Sequence, residues 1–102
     1  MKKKLIVRPE AEVDIARTVL WYEAREPGLG IQVLSEVHAA IVRALARPEA
    51  FLRLRSQPDV HRILVRRFRY RVFYVNREDS VVVFAVLHAA RIEGEWVKRL
   101  II

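Results

Sequence analysis

The spacing of apolar and polar positions changes period twice along the chain. Residues 3–7 alternate enough for a short strand, with Leu5 and Val7 on one face and Ile6 on the other. From about residue 10 to residue 24 the period becomes helical. Val13, Ala16 and Leu20 recur at i, i+3 and i+7, and Ile15, Val19 and Tyr22 lie beside them. Pro9 stands where a helix tolerates proline best, and Glu10, Glu12 and Asp14 put negative charge at the positive end of its dipole. Trp21 and Tyr22 read as core anchors near the helix end; the alternative reading is a ring that stacks on a nucleic-acid base. Glu26-Pro27-Gly28 is a turn, since proline forbids simple continuation of the helix. A second helix, Leu29–Ala46, carries Leu34, Val37, Ile41 and Leu45 at spacings of 3, 4 and 4 before Pro48 stops it. So short a connection makes the two helices an antiparallel hairpin. His38 falls beside the stripe and reads as a surface or boundary residue, not a ligand.

Residues 49–59 read as a connection pinned by Phe51, Leu52 and Leu54. The period then drops to two. Strands are expected at about 61–68, 70–75 and 81–88, with residues 76–79 as a polar turn. In the first, Ile63 and Val65 oppose Arg62, Leu64 and Arg66. In the second, Tyr70, Val72 and Tyr74 oppose Arg71, Phe73 and Val75. The third is almost wholly apolar, as a central strand covered on both faces should be. The pattern predicts an α+β fold over residues 1–102 as one domain. Its parts are an N-terminal strand, an antiparallel helix hairpin and a three-stranded antiparallel meander, with the helices on one sheet face.

Composition fits a chain with one modest core: 102 residues, 53% hydrophobic and 30% charged. There is no cysteine, so neither a disulfide framework nor a Cys-type zinc site is available. No run approaches the roughly 18 uninterrupted apolar residues that span a bilayer. The start reads as no signal peptide, and the expected location is the cytoplasm. The net charge of +7 is unevenly placed. Residues 1–50 hold 8 Lys/Arg against 7 Asp/Glu, whereas residues 51–102 hold 11 against 5. The excess belongs to the sheet half, where Arg62, Arg66, Arg67, Arg69, Arg71 and Arg77 follow one another with no acidic residue among them until Glu78. Such a face suits a polyanion or an acidic protein partner.

Several chemistries drop out. Gly28, Gly30 and Gly94 form no phosphate loop, no His/carboxylate spacing suggests a metal site, and no serine sits in a nucleophile elbow. No cofactor is expected. The remaining set is arginines with a few tyrosines, His88 and Trp96. Such a set binds phosphate through guanidinium forks, or cleaves RNA without a metal if a nearby group moves the proton. It also serves equally well for binding acidic side chains.

Pro27-Gly28-Leu29-Gly30 between two helices, following Trp21-Tyr22, is one half of a recognisable pattern. The other half is Arg67-Phe68-Arg69-Tyr70-Arg71-Val72-Phe73-Tyr74, then Val83 to Arg91, then Trp96 and Arg99. In order, these resemble the RelE/ParE superfamily of bacterial type II toxin–antitoxin toxins, more closely its ParE-like branch. That branch usually has proline where this chain has Arg69. The resemblance implies a basic, growth-arresting toxin neutralised by a cognate antitoxin in a heterodimer or heterotetramer. ParE-like members act on DNA gyrase; RelE-like members cut mRNA on the ribosome. By the resemblance, Arg62, Arg66, Arg67, Arg69, Arg71, Tyr74, Arg91 and Trp96 contact a target or antitoxin. Arg62, Arg71 and Arg91, with His88 as proton-transfer group, would be catalytic in the nuclease case. Against that case, Leu64 falls where a second strand lysine belongs and Val97 where a tail tyrosine belongs. A nucleic-acid-binding module without toxic action is the third reading.

Overall fold

The structure is a computed structural model that describes residues 3–55, 57–89 and 99. In chain order the elements are β1 (Lys4–Val7), α1 (Pro9–Arg25), α2 (Leu29–Ala46), β2 (Leu52–Leu54), β3 (Gln57–Leu64), β4 (Tyr70–Asn76) and β5 (Ser80–His88). The strands form one sheet in the order β1-β5-β4-β3-β2. β1 runs parallel to β5, with Lys4 opposite Ser80 and Val7 opposite Val83. The other neighbours are antiparallel. Both helices lie on one face, where Ala11, Val33, Val37, Ala40 and Ala44 meet Ile63, Val72, Tyr74, Val83 and Val86. By length and composition α2 is apolar enough to cross a membrane. Here its inward stripe packs against the sheet, as the core helix of a two-layer domain does.

Two glycines set the hairpin. Gly28 caps α2 with φ of 92°, left-handed backbone that glycine adopts without a Cβ clash. Gly30 lets the helices touch: a Cβ there would stand 2.9 Å from the Val19 carbonyl oxygen and 2.8 Å from Glu23 Oε1. The Glu23 carboxylate accepts the N–H groups of Gly28 and Gly30, at 3.0 and 2.9 Å, closing off the positive end of α2. Those two bonds hold its pKa below the usual carboxylate value.

The sheet departs from expectation in two places. Leu52–Leu54, expected as connection, is an edge strand paired with β3. The next strand spans Gln57–Leu64, several residues earlier than the expected 61–68. The reason is the run Arg66-Arg67-Phe68-Arg69, which turns instead of extending. Arg67 takes φ of 70°, and the Val65 N–H closes on the Tyr70 carbonyl at 2.9 Å. Turning keeps three closely spaced guanidiniums in water, which a continued strand against the helices would not.

The inner face of α1 also differs. Val13 and Leu20 of the expected stripe are exposed, while Ala11, Asp14 and Thr18 are buried. A bulge in β5 explains the rotation. Phe73 pairs with Ala85 but Tyr74 pairs with Val83, so Phe84 is an extra residue. The hydrogen-bonding parity of β5 shifts there, just beyond the end of β1. The Phe84 carbonyl and the Val86 N–H therefore face α1 with no strand beside them. Asp14 fills the gap: its Oδ2 accepts the Val86 N–H at 2.9 Å. Arg99 completes it, donating to Asp14 Oδ2 at 2.6 Å and to the Phe84 carbonyl at 3.2 Å. Thr18 donates to the Asp14 carbonyl at 2.8 Å, which lets a second polar residue sit on the buried side. A polar face thus wins over an apolar one because the sheet edge needs hydrogen-bonding partners. Trp21, expected as a core anchor, is half exposed with the Arg25 guanidinium 3.3 Å from its ring centre. Tyr22 does pack inward, edge-on to Phe68.

Asp14→Ala would leave the Val86 N–H and the Arg99 guanidinium without their acceptor and should cost about 2–4 kcal/mol of unfolding free energy. Val13→Ser and Leu20→Ser, on the exposed side, should stay within about 0.5 kcal/mol of wild type. Urea denaturation of the three variants checks both, and similar losses for all three would overturn this account of α1.

Candidate functional site

Residues directly opposite one another share a sheet face, so the strand registers decide which arginines meet. Arg62 stands opposite Phe73, and Leu64 opposite Arg71. Arg71 is in turn opposite Leu87. Leu52 lies opposite Arg62 on the β2 side. All six occupy the face turned away from the helices. Two rows result, Leu52–Arg62–Phe73 and Leu64–Arg71–Leu87, in which each cation stands between apolar side chains. Arg62 and Arg71 are diagonal neighbours, about 7 Å apart at the backbone. Leu52 and Leu64 are 53% and 60% exposed, which gives the face apolar as well as cationic contact area. Phe73 and Leu87 are buried beneath it.

Arg71 has an unusual environment. Its Nε is buried and has no hydrogen-bond partner among the described residues. A buried N–H of that kind costs about 1–3 kcal/mol when unmade, so the Arg71 Nε adds nothing to stability here. Arg62 differs in already having an interaction within the chain.

The other expected contacts scatter. Arg66 and Arg69 are exposed in the β3–β4 turn. Arg67 is folded back on α2, donating to Gln32 Oε1 at 2.8 Å and standing 3.9 Å from a Glu36 carboxylate oxygen. It therefore braces the turn. Tyr74 does not reach the surface: it is fully buried on the helix side, stacked on His61, with its hydroxyl donating to the Pro48 carbonyl at 2.7 Å. Burial, with Glu49 adding to it, pushes its phenol up to about 12. His61 is buried too, its Nδ1 3.0 Å from the Phe51 carbonyl oxygen. Arg91 and Trp96 lie outside the described residues.

His88 is placed on the wrong face for the expected catalytic group. Leu87 points with Arg71, so His88, one residue on, points to the helix side. There it meets Tyr70 edge-on at 5.2 Å, in a cleft also lined by Asp14, Arg17, Thr18 and Trp21. The sheet stands between its imidazole and the Arg71 guanidinium. Sequence reasoning passed over this cleft and over Asp14 and Arg17. The signal for Asp14 was a carboxylate spaced four residues from Thr18 on a helix. Arg17 carried no signal, being one charge on a helix facing water.

A helix hairpin packed on one face of such a sheet agrees with the fold expected of the RelE/ParE type. The family described as the ParE toxin of type II toxin–antitoxin systems, parDE, matches residues 5–93. The chain belongs to that family. Among solved structures, the chromosomal ParDE toxin–antitoxin system from P. aeruginosa superposes with a TM-score of 0.72 at 12% identity, over 85% of this chain and 96% of that one. A mutant of E. coli toxin RelE in the free state superposes with 0.64 at 26% identity, over 98% and 99%. The intact E. coli RelBE toxin–antitoxin complex gives 0.61 at 25%, over 87% and 99%. Among curated proteins nothing matches.

Two measurements bear on this geometry. Arg71→Met removes the orphaned N–H while keeping the stem, and should raise stability by about 1 kcal/mol in urea denaturation. Tyr74→Phe should cost about 1 kcal/mol at neutral pH. In the wild type, stability should fall as pH rises from near 10 towards 12, because the unfolded phenol ionises first while the buried one is held neutral to about 12. The Tyr74→Phe chain should lack that component, which a comparison of the two pH profiles will read.

Proposed function

We propose that this chain is a ParE-like toxin that acts by binding, with DNA gyrase as target and an acidic, partly apolar antitoxin as its neutralising partner in the cytoplasm. The observation that carries the reading is the separation of cation from acid–base group across the sheet. Metal-free RNA cleavage needs a proton donor and acceptor beside the guanidinium that stabilises the phosphorane. Among the described residues, the face holding Arg62 and Arg71 carries only apolar side chains between them. His88 lies on the opposite face, and His61 and Tyr74 are buried there. The choice of gyrase rests on the ParE family match, and that of an antitoxin on the family's description as one half of a toxin–antitoxin pair.

The likeness to RelE favours a second reading, cleavage of mRNA on the ribosome. Induction in cells lacking the antitoxin, with DNA and protein synthesis pulse-labelled separately, distinguishes the two. A prompt stop in DNA synthesis, with purified gyrase inhibited in a supercoiling assay, is the expected result. Arg71→Ala should weaken that inhibition about tenfold to a hundredfold, the worth of a charge-assisted hydrogen bond. His88→Ala should leave it intact. Cut mRNA with translation halted first, abolished by His88→Ala, would overturn the proposal. Harmless expression, with salt-dependent binding of RNA or DNA, would move the chain to the third reading.

A further inference from the structure

The cleft between α1 and the end of β5 is separate from the arginine face and has its own chemistry. It has a volume of about 150 Å³, which is room for one planar ring. Trp21 forms one side. Its indole has the Arg25 guanidinium 3.3 Å from its ring centre and meets Tyr22 edge-on, with ring centres 4.9 Å apart. Tyr70 and His88, edge-on to each other, form the other side. The floor is closed to new partners, because the Asp14 carboxylate is already bonded to the Val86 N–H and to Arg99.

Polar groups at this cleft are left over among the described residues. The Tyr70 hydroxyl has no hydrogen-bond partner and the Arg17 guanidinium no partner of any kind among the described residues, and Arg17 is exposed. An exposed cation at the mouth of an aromatic slot is the arrangement by which proteins hold one unit of an unpaired nucleic-acid strand. The base stacks on the rings while the phosphate stays in water against the cation. A half-exposed tryptophan braced by a guanidinium loses little further freedom on stacking, which favours a ligand with a flat face over an aliphatic one.

We propose that this cleft is a nucleotide site: a single base enters between Trp21 and Tyr70, its edge meets the Tyr70 hydroxyl, and its 5′ phosphate pairs with Arg17. The site lies across the sheet from Arg62 and Arg71 and stands or falls apart from the gyrase reading.

The test is NMR titration of the full chain, following the Trp21 indole N–H, with 5′-AMP, adenosine, inorganic phosphate and an acidic peptide containing phenylalanine. AMP should give a saturable shift. Arg17→Gln, an exposed change, should weaken AMP about tenfold, the worth of one charge-assisted bond, and leave adenosine unchanged. Trp21→Leu should remove the binding of both, with the backbone amide spectrum confirming that each variant is folded. Absence of a saturable shift, or AMP affinity indifferent to Arg17→Gln, would overturn the proposal. So would phosphate binding as tightly as AMP, which makes this a simple anion site, or a response to the peptide alone, which makes it a protein contact.

Discussion

The rest of the structure depends on one carboxylate taking the place of a strand. β1 is only four residues long and ends at Val7, while β5 continues to His88. Past the bulge at Phe84, β5 would present unmade backbone hydrogen bonds to the underside of α1. Asp14 supplies an acceptor there and, through Arg99, a donor as well. This arrangement fixes the rotation of α1, and with it the side of the helix that faces solvent. It also blunts a strand edge that would otherwise be open to pairing with another chain. Burying an ionised group is costly unless its partners are complete, and here the backbone and the guanidinium together complete them.

The bulge has a second effect, on chemistry. Side chains in a strand alternate between faces, so one inserted residue changes which of them share a side. Beyond it, Leu87 joins Arg71 and His88 joins Tyr70. The two ends of the apolar strand thereby serve two separate surfaces: a cationic and aliphatic one away from the helices, and an aromatic cleft beneath α1. A sequence that lists arginine, tyrosine and histidine within thirty residues suggests one active site. The register divides them.

Much of the fold was legible because its periods are clean. The two helices, the Pro27-Gly28 turn and the paired strands β4 and β5 follow from apolar spacing and from where glycine and proline stand. The four-residue shift in β3 comes from a strand-like run whose arginines are better served by a turn, a tertiary preference that local alternation does not report. The face of α1 was misread because Val13, Ala16 and Leu20 offered a ready stripe, while the worth of Asp14 lay in a backbone group 72 residues away. For the site, the side of its own strand on which each of Arg62 and Arg71 stands was legible from alternation, while their diagonal neighbourhood needed the register. The position of His88 was not legible, since a bulge leaves no mark in composition. The burial of Tyr74 was half legible: it shares a face with Val72, and its hydroxyl finds the Pro48 carbonyl across the core.

The pairing of β1 with β5 sets when the molecule comes into being. Lys4 waits for Ser80, and the Lys3 ammonium closes on the Asn76 side chain and the Arg77 carbonyl, so the first strand has no sheet to join until the last has been made. Contacts of such long sequence separation are slow to form and reward the chain only when every element from β1 to β5 is present. During synthesis the helix hairpin emerges early, with its apolar side uncovered and nothing to pack against. The arginine face does not exist at all until β3 and β4 align. That surface is thus assembled in one late step, once the strands that carry it and the strand that supports it are all present.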